Sequence, residues 1–565
     1  GPPSSFARAL RLGAVALMAL ALRGGVLGTL VRGAGLPAAA AVGPVVLVGA
    51  LVLVLGCAFW VFAEPARDPE AQELRWSLAA LGAGAFVVAL RLLYAGLADL
   101  VSDEAYYWQY ARHLDLAYLD HPPMVAWLIA AGTALAGTNE LGVRLGALLC
   151  GLGSAGFAAL LARDLYGPPA GHRAALLAFA LPYFLGAGSL LVPDAPVVLF
   201  WSASLFFLER ALLQGRAGAW WGAGLSLGLG LLSKYTIALL GPAALLFVLV
   251  DRPSRRWLRR FEPWAAAALA ALLFTPVLVW NLQNQWASFR FQSVRRMQMA
   301  WEFGLPELLL DCALLVTPAV LVAVGLELWG RERGAENPTG ARRRRFLGIF
   351  LGVPLSVFVA YSIQHRATFH WTGPIWLAAL PLAARSMGRA GGSRWQRGLR
   401  RSWGPLLAGL CVAAGVGVHA LVFQVPRLPH TQLSDRYYWS DAAPVLGEVG
   451  RELAERTGRR PLFVGMSRWA VASSLAFYAP SGDPDDVTSR HLFGRSGGMY
   501  ERWLPPERAR GRPVVLVAWQ RKSLTGGDIR RRIEGLGPIR RLPIRREGRI
   551  LRQVYVRTGL RYRGR

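Results

Sequence analysis

Lysine is almost missing from this 565-residue chain: of its 63 basic residues only Lys234 and Lys522 are lysine, and the rest are arginine. Acidic residues are scarce too, 34 against those 63, and charged residues of both signs make up only 17% of the chain. With 54% hydrophobic residues, this composition lies far outside the soluble globular range and marks a polytopic membrane protein. The four cysteines, Cys57, Cys150, Cys312 and Cys411, each lie inside an apolar run, so a disulfide framework is not indicated. The carboxy-terminal region lacks a glycine-rich phosphate fingerprint, and a nucleotide site is not supported. No internal repeat is obvious, which weakens an inverted-repeat transporter reading.

A net charge of +29 suggests nucleic acid only until its distribution is read. Arginines crowd into short loops between apolar runs, at 251–260, 342–345 and 385–401. That is the positive-inside pattern, which assigns those loops to the cytoplasm. Requiring roughly 20 apolar residues per crossing gives thirteen candidate spans. They fall near 13–31, 38–63, 77–100, 142–162, 172–191, 195–213, 219–233, 236–250, 264–282, 306–328, 346–363, 371–386 and 403–424. The first apolar segment lacks a convincing cleavage site and reads as a retained span. The stretch 124–138 is apolar but too short to cross, and reads as interfacial or re-entrant; counting it as a crossing would put the arginine loops outside.

Three regions follow: 1–76, with two extra spans and a linker; 77–424, a transmembrane catalytic region with a first outer loop at 101–141; and 425–565, an extracytoplasmic soluble α/β domain. In the last, helical patterns at 442–457, 469–478 and 528–536 alternate with strand-like runs at 461–464, 513–518, 539–544 and 550–556. Such alternation predicts a small layered α/β domain.

The chemistry-bearing residues sit at the outer ends of spans. Ser102-Asp103-Glu104-Ala105-Tyr106-Tyr107-Trp108 opens an aromatic, amphipathic helix expected to lie at the membrane interface. Asp103 is a candidate general base beside apolar groups; the structural alternative is a helix cap, with Glu104 complementing the dipole. Next come Asp120-His121-Pro122-Pro123, then Pro193-Asp194 and Ser233-Lys234-Tyr235. Read singly, these are a turn, a capped helix break and a snorkelling ammonium. Arg295, Arg296, Arg366 and His370 add cations at the same outer level. Ionisable groups at such depth are functional candidates by default.

Taken in order, these motifs, with Leu141-Gly142-Val143-Arg144 between them, resemble the GT-C superfamily of membrane glycosyltransferases. Nearest in pattern are the protein O-mannosyltransferase-like family 39 and the lipid A aminoarabinose transferases. The resemblance covers about residues 77–386. It implies a transferase taking a sugar from a polyprenyl phosphate at the outer face of a bacterial inner membrane. It makes Asp103 the base with Glu104 adjacent, Asp120 and His121 the acid and lipid-phosphate contact, Asp194 and Lys234 further site residues, and Arg366 and His370 looser ones. His121 stands where the aminoarabinose transferases have lysine. The two spans before residue 77 are a departure from the family pattern.

The chemistry agrees: displacing a phosphate from an anomeric carbon requires a base for the acceptor hydroxyl and cations for the leaving phosphate. No cofactor is required by this reading; a divalent metal held by Asp103, Asp120 and His121 is the one candidate. The expected partners are the lipid-linked donor, membrane lipids and a glycolipid, polysaccharide or protein acceptor, with no nucleic acid. The competing classes are a polyprenyl-lipid or sugar flippase, and a carrier-binding scaffold without activity.

Overall fold

A computed structural model describes residues 4–62, 68–293, 301–329, 338–389, 394–423, 438–546 and 548–564. The chain divides into two compact units, one built from Gly1–Leu97 and Arg144–Ala420, the other from Ala98–Val143 and Leu421–Arg565. Residues 98–143 thus fold with the carboxy-terminal region.

Among the described residues nine helices are long and apolar enough to cross a membrane: Ser5–Gly33, Ala38–Val61, Glu70–Ala95, Glu140–Tyr166, Asp194–Leu212, Phe261–Gln283, Leu305–Trp329, Pro338–Ser362 and Arg394–Phe423. Their outward faces are apolar, as at Leu47 (70% exposed) and Leu81 (71%), which suits contact with lipid chains. The other four sequence-predicted spans are broken or short. Pro182 separates Pro168–Ala180 from Pro182–Ala187 in 172–191. The run 219–233 holds the 13-residue helix Ala219–Leu231. Within 236–250, a 3₁₀ turn at Tyr235–Leu239 leads into Leu240–Val250, which with Arg252–Arg259 forms a pair bent by 115°. The run 371–386 consists of a 3₁₀ turn, Gly373–Ala378, and the helix Leu380–Gly388.

Irregular backbone is tolerated at membrane depth where protein encloses it. That condition holds here, since Leu181, Leu191, Ile375 and Leu380 are all buried. A side chain also supports the break near Pro182: buried Arg91 donates to the carbonyls of Phe184 (3.0 Å) and Leu185 (3.2 Å) and to Ser189 Oγ (3.3 Å). It thereby adds a second donor to carbonyls in the last turn of the short helix Pro182–Ala187, which also accept from Gly188 N–H and Ser189 Oγ.

Several arginines of the basic loops are tied into the fold. Arg342 holds Asp251 (3.1 Å) and the Leu213 carbonyl (2.9 Å), and Arg385 and Arg389 flank buried Glu327. The net charge therefore overstates how much positive surface is available to a partner.

The second unit contains a five-stranded sheet in the order β2-β1-β3-β6-β5, with β1 Leu462–Gly465, β2 Val487–Ser489, β3 Val514–Ala518, β5 Ile539–Arg546 and β6 Arg549–Gly559. β1 runs parallel to both β2 and β3, whereas β6 is antiparallel to β3 and β5. Two short strands, β4 Ile533–Glu534 and β7 Arg561–Tyr562, pair separately. The helix expected at 528–536 therefore stops at Arg532, because Ile533 and Glu534 enter a strand pair instead.

In the same unit, helix Ser102–Arg112 is followed by the 13-residue apolar helix Met124–Ala136. The first of these differs from its expected interfacial setting. Tyr106, Tyr107, Trp108 and Tyr110 are buried in protein, among Trp469, Tyr500, Trp503 and Phe477. Aromatic rings packed edge and face against one another gain more here than a bilayer surface offers them.

Candidate active site

Breaks between helices of the first unit and the start of helix Asp194–Leu212 deliver polar side chains to one place. Asp194 is the first residue of helix Asp194–Leu212, but its side chain does not cap that helix. It accepts two bonds from Lys234 Nζ, each 3.0 Å, and a third from the Tyr183 hydroxyl at 3.1 Å. His370 Nε2 lies 3.7 Å from the same carboxylate. Lys234 comes from the gap between Ala219–Leu231 and Tyr235–Leu239, where its extended backbone turns the side chain inward. Asp194 and Lys234 are 6% and 8% exposed, so the ammonium is no snorkelling surface charge. A buried pair of this kind is held only when further hydrogen bonds satisfy it, and Tyr183 supplies one.

Gly373 is required here, because a Cβ at that position would lie 2.0 Å from the Tyr183 ring. Burial lowers the pKa of His370, with Lys234 acting in the same direction and Asp194 opposing, which favours the neutral imidazole. Arg366 is exposed on the adjacent loop. Arg295 and Arg296 lie outside the described residues.

The remaining candidates belong to the second unit. Val101 is the N-cap of helix Ser102–Arg112, so Asp103 is not the cap; it is the second helical residue and half-buried. Glu104 is fully buried and accepts the Val101 N–H at 3.2 Å, which fixes the start of the helix. The two adjacent carboxylates thus differ in burial, and the Val101 N–H bond is accepted by Glu104.

Asp120 is bound by the hydroxyl of Tyr110, and Tyr106 donates to it at 3.4 Å. Burial pushes its carboxyl above the usual range, with Tyr110 and Arg468 opposing. Burial, followed by the Asp120 charge, in turn raises both tyrosines well above their ordinary value. The Tyr106 hydroxyl accepts Met499 N–H at 3.0 Å, and its ring stacks on Trp469 with centroids 5.0 Å apart. His121 packs edge-on against Tyr107 at 5.6 Å, and its carbonyl accepts Tyr118 N–H at 3.1 Å.

Among the described residues no group of three or more His, Cys, Asp or Glu side chains converges as a metal site, so the metal candidates Asp103, Asp120 and His121 are not brought together as one. Sequence reasoning did not single out Tyr183, Tyr110, Arg468 or Trp469. The spacing of Tyr106 and Tyr110, one helical turn apart, was a usable signal; the other three have none at short range.

Residues 120–280 match a family model described as dolichyl-phosphate-mannose-protein mannosyltransferase. Lipid A galacturonosyltransferase RgtD of Rhizobium johnstonii is 26% identical over 463 residues, 75% of this chain and 90% of that protein. The undecaprenyl phosphate-alpha-4-amino-4-deoxy-L-arabinose arabinosyl transferase of Pseudomonas aeruginosa is 31% identical over 274 residues, 44% of this chain and 47% of the relative. This match spans about half the relative's length. Among solved structures, ArnT from Cupriavidus metallidurans in the apo state superposes with a TM-score of 0.59 at 16% identity, covering 86% of this chain and 98% of the other. Its complex with undecaprenyl phosphate gives 0.57, at 16% identity and with 85% and 98% covered.

A bundle of membrane helices interrupted around buried polar residues, with an α/β domain attached, is here the framework of a membrane glycosyltransferase. By these comparisons the chain is similar to the dolichyl-phosphate-mannose-protein mannosyltransferase family over 120–280 and to lipid A galacturonosyl and aminoarabinose transferases, in keeping with the GT-C pattern of its motifs.

Proposed function

We propose that this chain moves a sugar from a polyprenyl-phosphate donor to an acidic glycolipid of the lipid A type, at the outer face of a bacterial inner membrane. The observation that carries the reading is the buried Asp194–Lys234 pair with Tyr183 and His370, built at helix breaks of the membrane unit. The named activities of the galacturonosyl and arabinosyl transferases support the choice of donor and acceptor. The basic loops support the orientation: with arginines on the cytoplasmic side, the loop carrying Asp103 and the α/β domain face outward.

The reaction is a single displacement with inversion. The acceptor oxygen bonds to the anomeric carbon as the bond from that carbon to the phosphate oxygen breaks. The acceptor proton passes to Asp103, and the polyprenyl phosphate departs with the electron pair. Negative charge grows on the phosphate, and a fixed cation in a poorly solvated place stabilises it strongly. Lys234 has that role, with Asp194 and Tyr183 setting its position and His370 at the same carboxylate. Glu104 positions Asp103 by fixing the helix start, and Asp120 orders the tyrosines behind it.

The test is transfer in proteoliposomes holding the purified chain, a radiolabelled undecaprenyl-phosphate sugar and lipid A. Label should move to lipid A only when donor and acceptor are both present. Movement of the donor across the bilayer without transfer would instead establish a flippase.

A further inference from the structure

The parallel strands β2, β1 and β3 finish at one edge of the sheet. The chain runs from β1 to β2 on one side and then across to β3 on the other, so the strand order reverses at that edge. Open α/β sheets bind ligands at this kind of place. Gly465 pairs with Ser489 in the β1–β2 register. Arg468, three residues beyond the first, and Arg490, one beyond the second, therefore issue from neighbouring strand ends.

A third arginine arrives on the loop Gly494-Arg495-Ser496-Gly497-Gly498. That loop is pinned to the same edge: Arg490 Nε donates to the Ser496 carbonyl at 3.2 Å, Ser489 Oγ to the Gly497 carbonyl at 3.4 Å, and Gly497 N–H to Glu501 at 2.6 Å. Only glycine allows so close a path, since a Cβ on Gly497 would meet Ser489 Oγ at 2.3 Å, and Gly498 has φ +65°. Burial, then the charges of Arg495 and Arg468, hold the Arg490 pKa below its ordinary value. Like charges gathered in this way are unfavourable until an anion joins them. Asp120 offsets Arg468, and Glu501 is engaged by the loop backbone.

We propose that Arg468, Arg490 and Arg495, with loop 494–498, bind a phosphate group on the head of the glycolipid acceptor. Arginine forks match phosphate oxygens in pairs, which a lysine does not do. Within this unit the site adjoins the helix that carries the base: Trp469, next to Arg468, stacks on Tyr106, three residues from Asp103. The base acts on the acceptor, so the acceptor is the substrate expected there. This inference rests on the glycosyltransferase reading.

It is tested by donor-free binding to the full chain in nanodiscs, with lipid A, dephosphorylated lipid A and inorganic phosphate as probes. Wild type should prefer lipid A over its dephosphorylated form by about tenfold. Arg490→Gln and, separately, Arg495→Gln should remove that preference while binding of the dephosphorylated lipid is unchanged. Unchanged binding also shows that the variants are folded. Competition by millimolar inorganic phosphate supports the anion site. Binding of inorganic phosphate without any preference for lipid A would overturn the lipid assignment. A preference that persists in Arg490→Gln/Arg495→Gln would overturn the site. Because no donor is present, a wild type that shows the preference yet transfers no sugar upholds this inference and refutes only the proposed reaction.

Discussion

Asp194 and Asp120 are both carboxylates bound by a tyrosine hydroxyl, yet their surroundings treat the charge in opposite ways. Asp194 has an ammonium at 3.0 Å on both oxygens, within elements of the membrane unit. Asp120, in the other unit, accepts from the hydroxyls of Tyr110 and Tyr106, and burial raises its pKa despite the opposing Tyr110 and Arg468. The lesson is that acid-and-tyrosine motifs of similar appearance serve different ends. In the proposed reaction the first fixes a cation for the leaving phosphate, whereas the second joins a hydrogen-bonded, aromatic cluster.

The largest effect should come from breaking the first pair. Lys234→Met leaves Asp194 charged and buried, at a cost of about 3–5 kcal/mol, and should abolish transfer. Lys234→Met/Asp194→Asn should recover much of the thermal stability in detergent without recovering activity. Equal instability of the single and double variants would mean that the pair's charge is not what matters.

Gly373→Ala should rank next. Its methyl group would meet the Tyr183 ring, and forced repacking costs about 1–3 kcal/mol. Transfer should fall while the second unit is unaffected, which limited proteolysis of the two units can read. On the other side of the comparison, Tyr110→Phe removes the close donor to Asp120 and should cost about 1–3 kcal/mol. Its effect should appear as loss of order in the aromatic cluster, seen by tryptophan fluorescence, with a smaller loss of transfer than Lys234→Met causes.

The smallest effect concerns pH. Asp99 accepts Ser440 N–H at 3.0 Å and the Ser440 hydroxyl at 2.7 Å, and burial raises its pKa from 3.8 to about 6. The folded state therefore binds this proton more readily than the unfolded one. Its contribution favours folding at low pH and is lost as pH rises from about 4 to 6. Melting curves of Asp99→Asn should lack that part of the pH dependence. An identical profile in variant and wild type would remove Asp99 as its source.

Much of this was legible in sequence because it rests on local pattern. Nine long apolar runs became nine helices, and the strands at Leu462–Gly465 and Val514–Ala518 lie close to their β-branched runs. Asp194 and Lys234 were each conspicuous as polar residues at helix breaks. Their pairing was not, since they are 40 residues apart and nothing local specifies it. The tertiary partner Tyr183 was hidden for the same reason. β2 has only three residues, too few to show periodicity, and Ile533–Glu534 left its helical pattern to pair with Arg561–Tyr562. The aromatic helix misled in another way: its Tyr and Trp residues suit a membrane surface equally well, and only burial against Trp469 and Trp503 distinguishes the two settings.

The central claim is that Asp103, and not its buried neighbour Glu104, accepts the acceptor's proton. The direct measurement is single-turnover transfer by Asp103→Asn in proteoliposomes, alongside equilibrium binding of the undecaprenyl-phosphate donor. Transfer should fall by about 10²–10⁴-fold with donor binding retained. Transfer within a few-fold of wild type, with donor bound normally, would contradict the assignment.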